Sequence, residues 1–399
     1  MFKTNTLKKI MMLSSEISAV LILFAFRTRS IPLEWFFPLL FGIFSLSSFL
    51  LFEIRLKREK MERKKIFHGI TPKDVLIFTV IKNDIISAKR FIEHYGRFPH
   101  NFHILVFDDN STDGTYEYLL KAFKNVEIRR LIRSGRVLHP KGEGFEIALK
   151  DEKSDFVFIC DGDSLISLDD LNFLILTMEK EKLDYVSAQR RNIEKEKISY
   201  YSADINELFM SLMNEVVSIF GGSIFPGSGH LIRKESFKTF KYNDVCLSDD
   251  TYIGNWIAQH KKKGRRIYSA SVMELAPEKF SVKLSQMLKW TKNGVLERIR
   301  SLSMGVLIQY FALFMIIFSF LFPKTYLALI TYGVLATLFG IILGMALSFK
   351  SFKGAILGFL LFSLELFFST VYNVYLYNRA IFSNPRYLES GKFEKTKRE

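Results

Sequence analysis

The sequence predicts an α/β domain with a mostly parallel sheet, flanked by apolar segments at both ends of the chain. Strand patterns alternate with helix patterns through residues 71–300, which is typical of an open parallel sheet. The first strand pattern, DVLIFTVIKN at 74–83, contains a run that is apolar except for Thr79, as expected where helices cover both faces of a sheet. Ligands of such sheets bind outside the carboxyl ends of the strands, so polar residues at those ends are the candidates for a site.

Five apolar segments in the flanking zones are predicted to span a membrane as helices. Two lie near the N-terminus, at 10–26 and 36–52, and are interpreted as a helical hairpin. Three lie near the C-terminus, at 302–322, 325–348 and 354–376. Of these three, only the last contains a charge, Glu365, and a charge in such a segment is expected to face protein or a polar cavity.

The basic residues cluster beside these apolar segments and account for much of the formal net charge of +15. By the positive-inside rule, the clusters at 53–65 and 289–300 place the central domain on the cytoplasmic side. Five spans would leave the basic tail outside, so either the tail departs from the rule or one segment does not fully cross. We therefore expect a multi-pass protein of the plasma membrane, with lipid contacts and no nucleic-acid partner. The 2 cysteines provide no disulfide framework.

Acidic clusters stand where two of the predicted strands end. They are DDNSTDGT, at 108–115, and DGD, at 161–163. Neighbouring carboxylates repel one another unless something positive binds there. Hard carboxylate ligands suit Mg²⁺ or Mn²⁺, and such an ion could in turn hold a diphosphate. The residues alone leave the alternative of acidic turns and helix caps open.

Across residues 75–300 the order of these motifs resembles the membrane-bound family 2 glycosyltransferases, the group of cellulose, chitin and hyaluronan synthases. The resemblance implies a GT-A fold, an α/β domain that binds a nucleotide sugar. It implies that VIKND and VFDDNSTDGT contact the nucleoside, that KGEGFEIAL closes over the diphosphate, and that DGD is the DxD motif that binds Mg²⁺ or Mn²⁺. The corresponding residues are Asp84 and Asp109 for the nucleoside, Lys141 for the diphosphate, Asp161 for the nucleotide and the metal, and Asp163 for the metal.

The acceptor side is represented by two further segments. CLSDDTYIG, at 246–254, resembles the family's Thr-Glu-Asp segment, which implies Asp250 as the general base with Asp249 in place of the usual Glu. A sugar hydroxyl is a poor nucleophile until its proton is removed, so a positioned carboxylate is needed. GGSIFPGSGHLIRK resembles the acceptor-side loop, where Ser228 and Gly229 would line the acceptor site. On its own, SDD is most often simply the start of a helix.

QMLKW, at 286–290, resembles the family's Gln-x-x-Arg-Trp motif. Gln286 and Trp290 match, but Lys289 replaces the Arg, which keeps the charge and loses the forked guanidinium. The same residues belong to an amphipathic pattern over 282–301, so the motif is expected on a helix at the membrane interface. The resemblance implies that these three side chains bind substrate.

The resemblance implies an inverting transferase that moves a sugar from a nucleotide diphosphate sugar, here a UDP-sugar, to a growing polysaccharide. Two alternatives are transfer of a single sugar to a membrane lipid and an inactive nucleotide-sugar sensor. The implied partners are the sugar donor, a glycan or lipid-linked acceptor and membrane lipids. The predicted division of the chain is a hairpin and linker at 1–70, the GT-A domain at 71–281, the interfacial helix at 282–301, C-terminal spans at 302–378 and a tail at 379–399.

Overall fold

The chain divides into two compact units, and each is described by itself. The first unit comprises Arg55–Lys195 and Phe220–Ala276, and the second comprises Met1–Ile54, Glu196–Ile219 and Pro277–Glu399. The computed structural model describes residues 54–63, 74–122, 126–130, 140–150, 154–193, 225, 227–242, 249–275, 279–288 and 321, with scattered helical positions within 200–214 and 356–375.

An eight-stranded mixed sheet forms the centre of the first unit, in the order β3-β2-β1-β4-β7-β6-β8-β5. The first four strands run parallel, as predicted. The other half of the sheet is mixed, because β7 is antiparallel to both β4 and β6 and β5 is antiparallel to β8, whereas β6 and β8 run parallel. The strands are β1 (Val75–Ile81), β2 (Phe102–Asp108), β3 (Val126–Arg130), β4 (Phe156–Ile159), β5 (Leu165–Ile166), β6 (Tyr185–Asn192), β7 (His230–Arg233) and β8 (Gly264–Glu274).

Polar side chains define where several of the helices begin. Asp84 accepts a hydrogen bond from the backbone N–H of Ser87 at 3.1 Å and so caps the first helix. Ser167 caps the fourth helix in the same way, through the backbone N–H of Asp170. Between β1 and β8 the described helices are α1 (Ile85–Tyr95), α2 (Thr115–Ala122), α3 (Pro140–Ala148), α4 (Leu168–Glu181) and α5 (Asp249–Gln259), with a 3₁₀ turn at Lys234–Phe237.

Apolar cores pack on both faces of the sheet, as the largely apolar pattern of β1 predicts. Alternate residues of β1 point to opposite faces. Val75 and Ile77 join a core with Phe91 of α1 and Leu174 of α4. Leu76 and Phe78 join a second core, which includes Phe145 of α3 and Trp256 of α5. The result is an α/β/α arrangement in which the loops at the strand ends remain available for a site.

The helical residues 54–63 are attached to β8 through Glu59, which is only 2% exposed. Its Oε1 accepts from Arg265 Nη1 at 2.6 Å. Its Oε2 accepts from the backbone N–H groups of Tyr268 at 2.7 Å and Ser269 at 3.0 Å. A buried carboxylate is stable only when charges and donors compensate its lost hydration, and here both oxygens are engaged.

In the second unit, residues 280–288 are helical, and the interfacial helix predicted at 282–301 stays a prediction. Glu365 is 1% exposed, so the one charge of the fifth predicted span is buried. No helix among the described residues is long and apolar enough to cross a membrane. The first four predicted spans lie outside the described residues except for Leu321, and the fifth is described only in part.

Candidate active site

Polar loops converge at one edge of the sheet, where β2, β1 and β4 end and β7 begins. The parallel register places Ile81 beside Asp108, and the antiparallel register places Ile159 beside His230. The segments that follow β1, β2 and β4 therefore lie next to the segment that precedes β7. Parallel strands bring their carboxyl ends to the same edge, and open α/β sheets bind their ligands there.

The loops after β1 and β2, which carry the two predicted nucleoside residues, are tied together by hydrogen bonds. The N–H of Asp84 donates to Thr115 Oγ1 at 3.1 Å, and the N–H of Asn83 donates to Ser111 Oγ at 2.9 Å. Asp109 is 2% exposed, and its Oδ2 lies 3.2 Å from Lys82 Nζ. Asp84 acts as a helix cap as well, so its predicted nucleoside contact stays a prediction, as does that of Asp109.

The DGD sequence forms a tight turn directly after β4. The N–H of Ser164 donates to the carbonyl oxygen of Asp161 at 3.0 Å and closes the turn. Gly162 is needed for a close approach, since an added Cβ would lie 2.8 Å from Ile81 Cγ1. Almost half of the Asp161 side-chain surface, 46%, is exposed, so this carboxylate is accessible to a ligand.

Lys141, near the start of α3, connects the DGD turn to the loop before β7. Its Nζ donates to Asp161 Oδ1 at 2.6 Å and also to the carbonyl oxygen of Gly227. Burial disfavours the charge of Lys141, but Asp161, Asp249 and Asp250 outweigh that effect and raise its pKa. The lysine is therefore a fixed positive charge among the carboxylates that the sequence indicates for both donor and acceptor.

Asp249 and Asp250 are the first two residues of α5. Burial raises the pKa of Asp250 well above its usual value, and the charges of Asp249 and Asp161 add to that rise, while Lys141 opposes it. The carboxylate is packed against Gly227, where an added Cβ would lie 2.6 Å from Asp250 Oδ2. The predicted base thus belongs to the same cluster as the DGD turn and Lys141.

The residues predicted to line the acceptor site occupy the turn before β7. Ser228 is 0% exposed, and its Oγ accepts from the N–H of Asp161 at 3.1 Å. Gly229 has a φ of +84°, and a Cβ there would lie 2.8 Å from Val272 Cγ2, so the position requires glycine. The described contacts of Ser228 are with the DGD turn, and the acceptor role of both residues stays a prediction.

His230 follows this turn and is fully buried. Its Nδ1 lies 2.7 Å from Ser187 Oγ, and its ring stacks on Phe225 with the centroids 3.5 Å apart. Burial lowers its pKa well below the usual value, and the nearby charge of Lys141 lowers it further. The imidazole is therefore neutral at physiological pH and adds no charge to the cluster.

Three predicted site residues lie outside the unit that carries this cluster or outside the described residues. Gln286 lies on the helical residues 280–288 of the second unit, and Lys289 and Trp290 lie outside the described residues. The sequence patterns missed four residues with contacts at the site, namely Lys82, Ser164, Gly227 and Glu274. The Gly-rich PGSGH segment was a signal for Gly227, whereas no local pattern indicated Glu274.

The carboxylates of the turn suit a divalent metal that is held jointly with a diphosphate. Within the described part of the chain, no group of three or more His, Cys, Asp or Glu side chains is arranged to hold a metal by itself. Mg²⁺ in particular is usually bound by one or two carboxylates together with substrate phosphates and water, and Mn²⁺ favours the same oxygen ligands. Asp163 and Asp161 can supply those carboxylates, so the donor set fits the predicted Mg²⁺ or Mn²⁺.

Comparison with known proteins defines the class to which this site belongs. Residues 83–240 match the family model described as Glycosyl transferase family 2. The chain therefore carries a family 2 glycosyltransferase domain with a GT-A-like α/β fold, and the predicted enzyme class, a glycosyltransferase, is confirmed. The match includes the DGD turn and Lys141 and ends before Asp249. No curated protein gave a significant match.

Several solved structures are similar to this chain at low sequence identity. The mannosyltransferase PcManGT from Pyrobaculum calidifontis, in complex with GDP-Man and Mn²⁺, is 14% identical, with a TM-score of 0.50 over 88% of this chain and 99% of that chain. S. aureus TarS is 13% identical, with a TM-score of 0.38 over 54% of this chain and 40% of that chain. Residues 1–349 of TarS, in complex with UDP-GlcNAc, are 14% identical, with a TM-score of 0.38 over 52% of this chain and 59% of that chain.

Proposed function

We propose that this protein transfers a sugar from a nucleotide diphosphate sugar to an acceptor hydroxyl, with inversion at the anomeric carbon. The observation that carries the proposal is the position of Lys141. Its ammonium group binds both Asp161 of the DGD turn and the carbonyl oxygen of Gly227, which packs against Asp250. One fixed charge thus connects the carboxylate expected at the donor with the carboxylate expected at the acceptor.

Asp250 has the properties required of the base. A general base is most effective when its pKa lies near the operating pH, and burial together with Asp249 moves the pKa of Asp250 upward. The charge of Lys141 lowers the pKa of Asp250, which helps to keep the carboxylate ionised when no acceptor is bound. Its position at the first turn of α5 also fixes the backbone that carries it.

In the proposed reaction, Asp250 takes the proton of the acceptor hydroxyl as the hydroxyl oxygen forms a bond to the anomeric carbon. The bond from that carbon to the diphosphate breaks on the opposite face, so the configuration inverts and the nucleoside diphosphate leaves with the electron pair. Lys141 holds positive charge beside Asp161 throughout. A divalent metal at Asp161 and Asp163, when bound, would neutralise charge on the diphosphate.

We propose a UDP-sugar as donor, a growing polysaccharide as acceptor, and a location in the plasma membrane with the catalytic domain on the cytoplasmic side. The support comes from the sequence: five apolar segments flank the domain, basic clusters lie beside them, and the pattern Gln286 to Trp290 follows the domain. A membrane location would allow the product to pass outward as it grows.

A second candidate is the transfer of a single sugar to a membrane lipid. It is favoured by Lys289, which stands where the resemblance expects Arg, because a point charge lacks the forked geometry of a guanidinium. The similarity to a mannosyltransferase that binds GDP-Man makes a GDP-sugar the alternative donor.

The charged set of Lys141, Asp161 and Asp250 argues against an inactive sensor, which would have no need for a base.

The test is to incubate the detergent-purified full chain with UDP-, GDP- and other nucleotide sugars and Mn²⁺ or Mg²⁺, with and without added membrane lipids. Release of nucleoside diphosphate is followed, and any glycan is sized in the same samples. Release with one donor and a long product supports the polysaccharide. A product one sugar larger than an added lipid supports the second candidate, and no release with any donor overturns the proposed transfer and favours the sensor.

A further inference from the structure

Buried hydroxyl groups support the DGD turn on the side that faces the protein interior. The N–H of Asp161 donates to Ser228 Oγ at 3.1 Å, and Ser228 Oγ donates to Ser164 Oγ at 2.8 Å. Ser164 Oγ then donates to Glu274 Oε1 at 3.0 Å. Ser164 and Ser228 are both 0% exposed, so water does not compete for these bonds.

The chain of hydrogen bonds has one direction because of the groups at its ends. It begins at a backbone N–H, which can only donate, and ends at the carboxylate of Glu274, which can only accept. Each hydroxyl therefore accepts one bond and donates the next, and bonds arranged in this way strengthen one another. Glu274 is the last residue of β8, so the hydrogen bonds connect the DGD turn to a strand of the sheet rather than to another loop.

The opposite end of the turn is held by α1. The hydroxyl of Tyr95, which is 1% exposed, donates to the carbonyl oxygen of Ser164 at 3.0 Å and accepts from the N–H of Ile166 at 3.1 Å. His94 Nε2 lies 2.7 Å from the carbonyl oxygen of Ile166. Ser164 is thus fixed through its side chain and its backbone, and it follows Asp163 directly.

We propose that Ser228, Ser164 and Glu274 are positioning residues that hold Asp161 and Asp163 where a divalent metal and a diphosphate can bind together. This inference rests on the proposed function. A metal that receives only one or two ligands from the protein depends strongly on how those ligands are oriented. The hydroxyl chain acts on the backbone N–H of Asp161 and on the residue after Asp163, so it controls both carboxylates of the turn.

Removal of a link in this chain is expected to weaken metal-dependent nucleotide binding more than binding without metal. Partners that orient metal ligands typically contribute about 10- to 100-fold in metal affinity or activity. Ser228→Ala deprives the N–H of Asp161 of its acceptor, so we expect an effect in that range. Glu274→Gln keeps the shape and an acceptor oxygen but removes the charge, so we expect a smaller effect in the same direction.

The experiment is calorimetric titration of UDP, and separately GDP, into the detergent-purified full chain, in EDTA and in Mn²⁺. The readout is the ratio of the dissociation constant in EDTA to that in Mn²⁺. In Ser228→Ala and Glu274→Gln we expect this ratio to fall. The dissociation constant in EDTA should stay within about twofold of the parent's. Ser154→Ala, which removes a buried hydroxyl before β4, is the control and should leave the ratio unchanged.

Each outcome separates this inference from the proposed function. If the parent gains affinity from Mn²⁺ and both variants gain as much, the positioning role is overturned and the proposed function stands. If the parent gains nothing with either nucleotide, the positioning role is overturned, whereas the proposed transfer is decided separately by the release of nucleoside diphosphate. Glu274→Gln is nearly isosteric and decides the question if Ser228→Ala fails to fold.

Discussion

Substitution of Gly227 by alanine tests whether the position of Asp250 matters for catalysis. The new Cβ would lie 2.6 Å from Asp250 Oδ2 and 3.1 Å from both Cγ and Oδ1 of that side chain. Ordinary van der Waals contact begins at 3.4 Å, so the carboxylate or the loop must move by about 0.8 Å. The substitution adds one methyl group and leaves every titratable side chain of the site in place.

The size of the effect follows from this displacement. A misplacement of about 1 Å at a reacting group can cost roughly 100-fold in rate. We therefore expect Gly227→Ala to lower kcat by about 10- to 100-fold, which is about 1.4–2.7 kcal/mol of transition-state stabilisation. Binding of the donor should change little, because the perturbed carboxylate is assigned to the acceptor.

Initial rates of nucleoside diphosphate release, measured against donor and acceptor concentration, give kcat and both KM values. Gly254→Ala is the matched control, because it lies on the same helix as Asp250 and its added Cβ would make only an ordinary 3.4 Å contact with Phe225. A catalytic role for the position of Asp250 is refuted if Gly227→Ala retains the parent's kcat, or if Gly254→Ala is impaired to the same extent.

Three further predictions concern charge, stability and metal. Asp249→Asn should shift the acidic limb of the kcat–pH profile to lower pH, because Asp249 raises the pKa of Asp250 and the base must be deprotonated to act; an unmoved limb contradicts this. Glu59→Gln should lower the free energy of unfolding by about 1–3 kcal/mol in denaturant titration, since Arg265 loses a buried partner. As a control, Glu62→Gln at a half-buried position should lower the free energy of unfolding by less than about 1 kcal/mol. EDTA should abolish transfer and added Mn²⁺ should restore it; activity that persists in EDTA contradicts a metal at the DGD turn.

The parallel half of the sheet could be predicted because its signals are local. The apolar runs of β1 to β4 and the polar residues after them follow directly from the burial of parallel strands, and the register brings Asp109, Asp84 and Asp161 to one edge. The assignments of these residues to nucleoside and metal came from the resemblance and stay predictions. The structure shows only that the loops which carry them are neighbours.

The half of the sheet with mixed strand directions could not be predicted because its pairings are remote in sequence. β7 pairs with β4 across about seventy residues, and this pairing places Gly227 and Ser228 against the DGD turn. The contact of Ser164 with Glu274 spans 110 residues, and no periodicity encodes it. The side chain of Ser228, expected in the acceptor site, is buried beside Asp161 for the same reason.

The most direct test of Asp250 as the general base is the turnover of Asp250→Asn in the purified full chain, measured with the nucleotide sugar that the parent uses. Asn keeps the shape of the side chain but cannot take a proton, so we expect kcat to fall by about 100-fold or more while the donor KM stays near the parent's. Asp249→Asn, measured alongside, should retain most of its activity at neutral pH. Near-normal turnover of Asp250→Asn would contradict its assignment as the base.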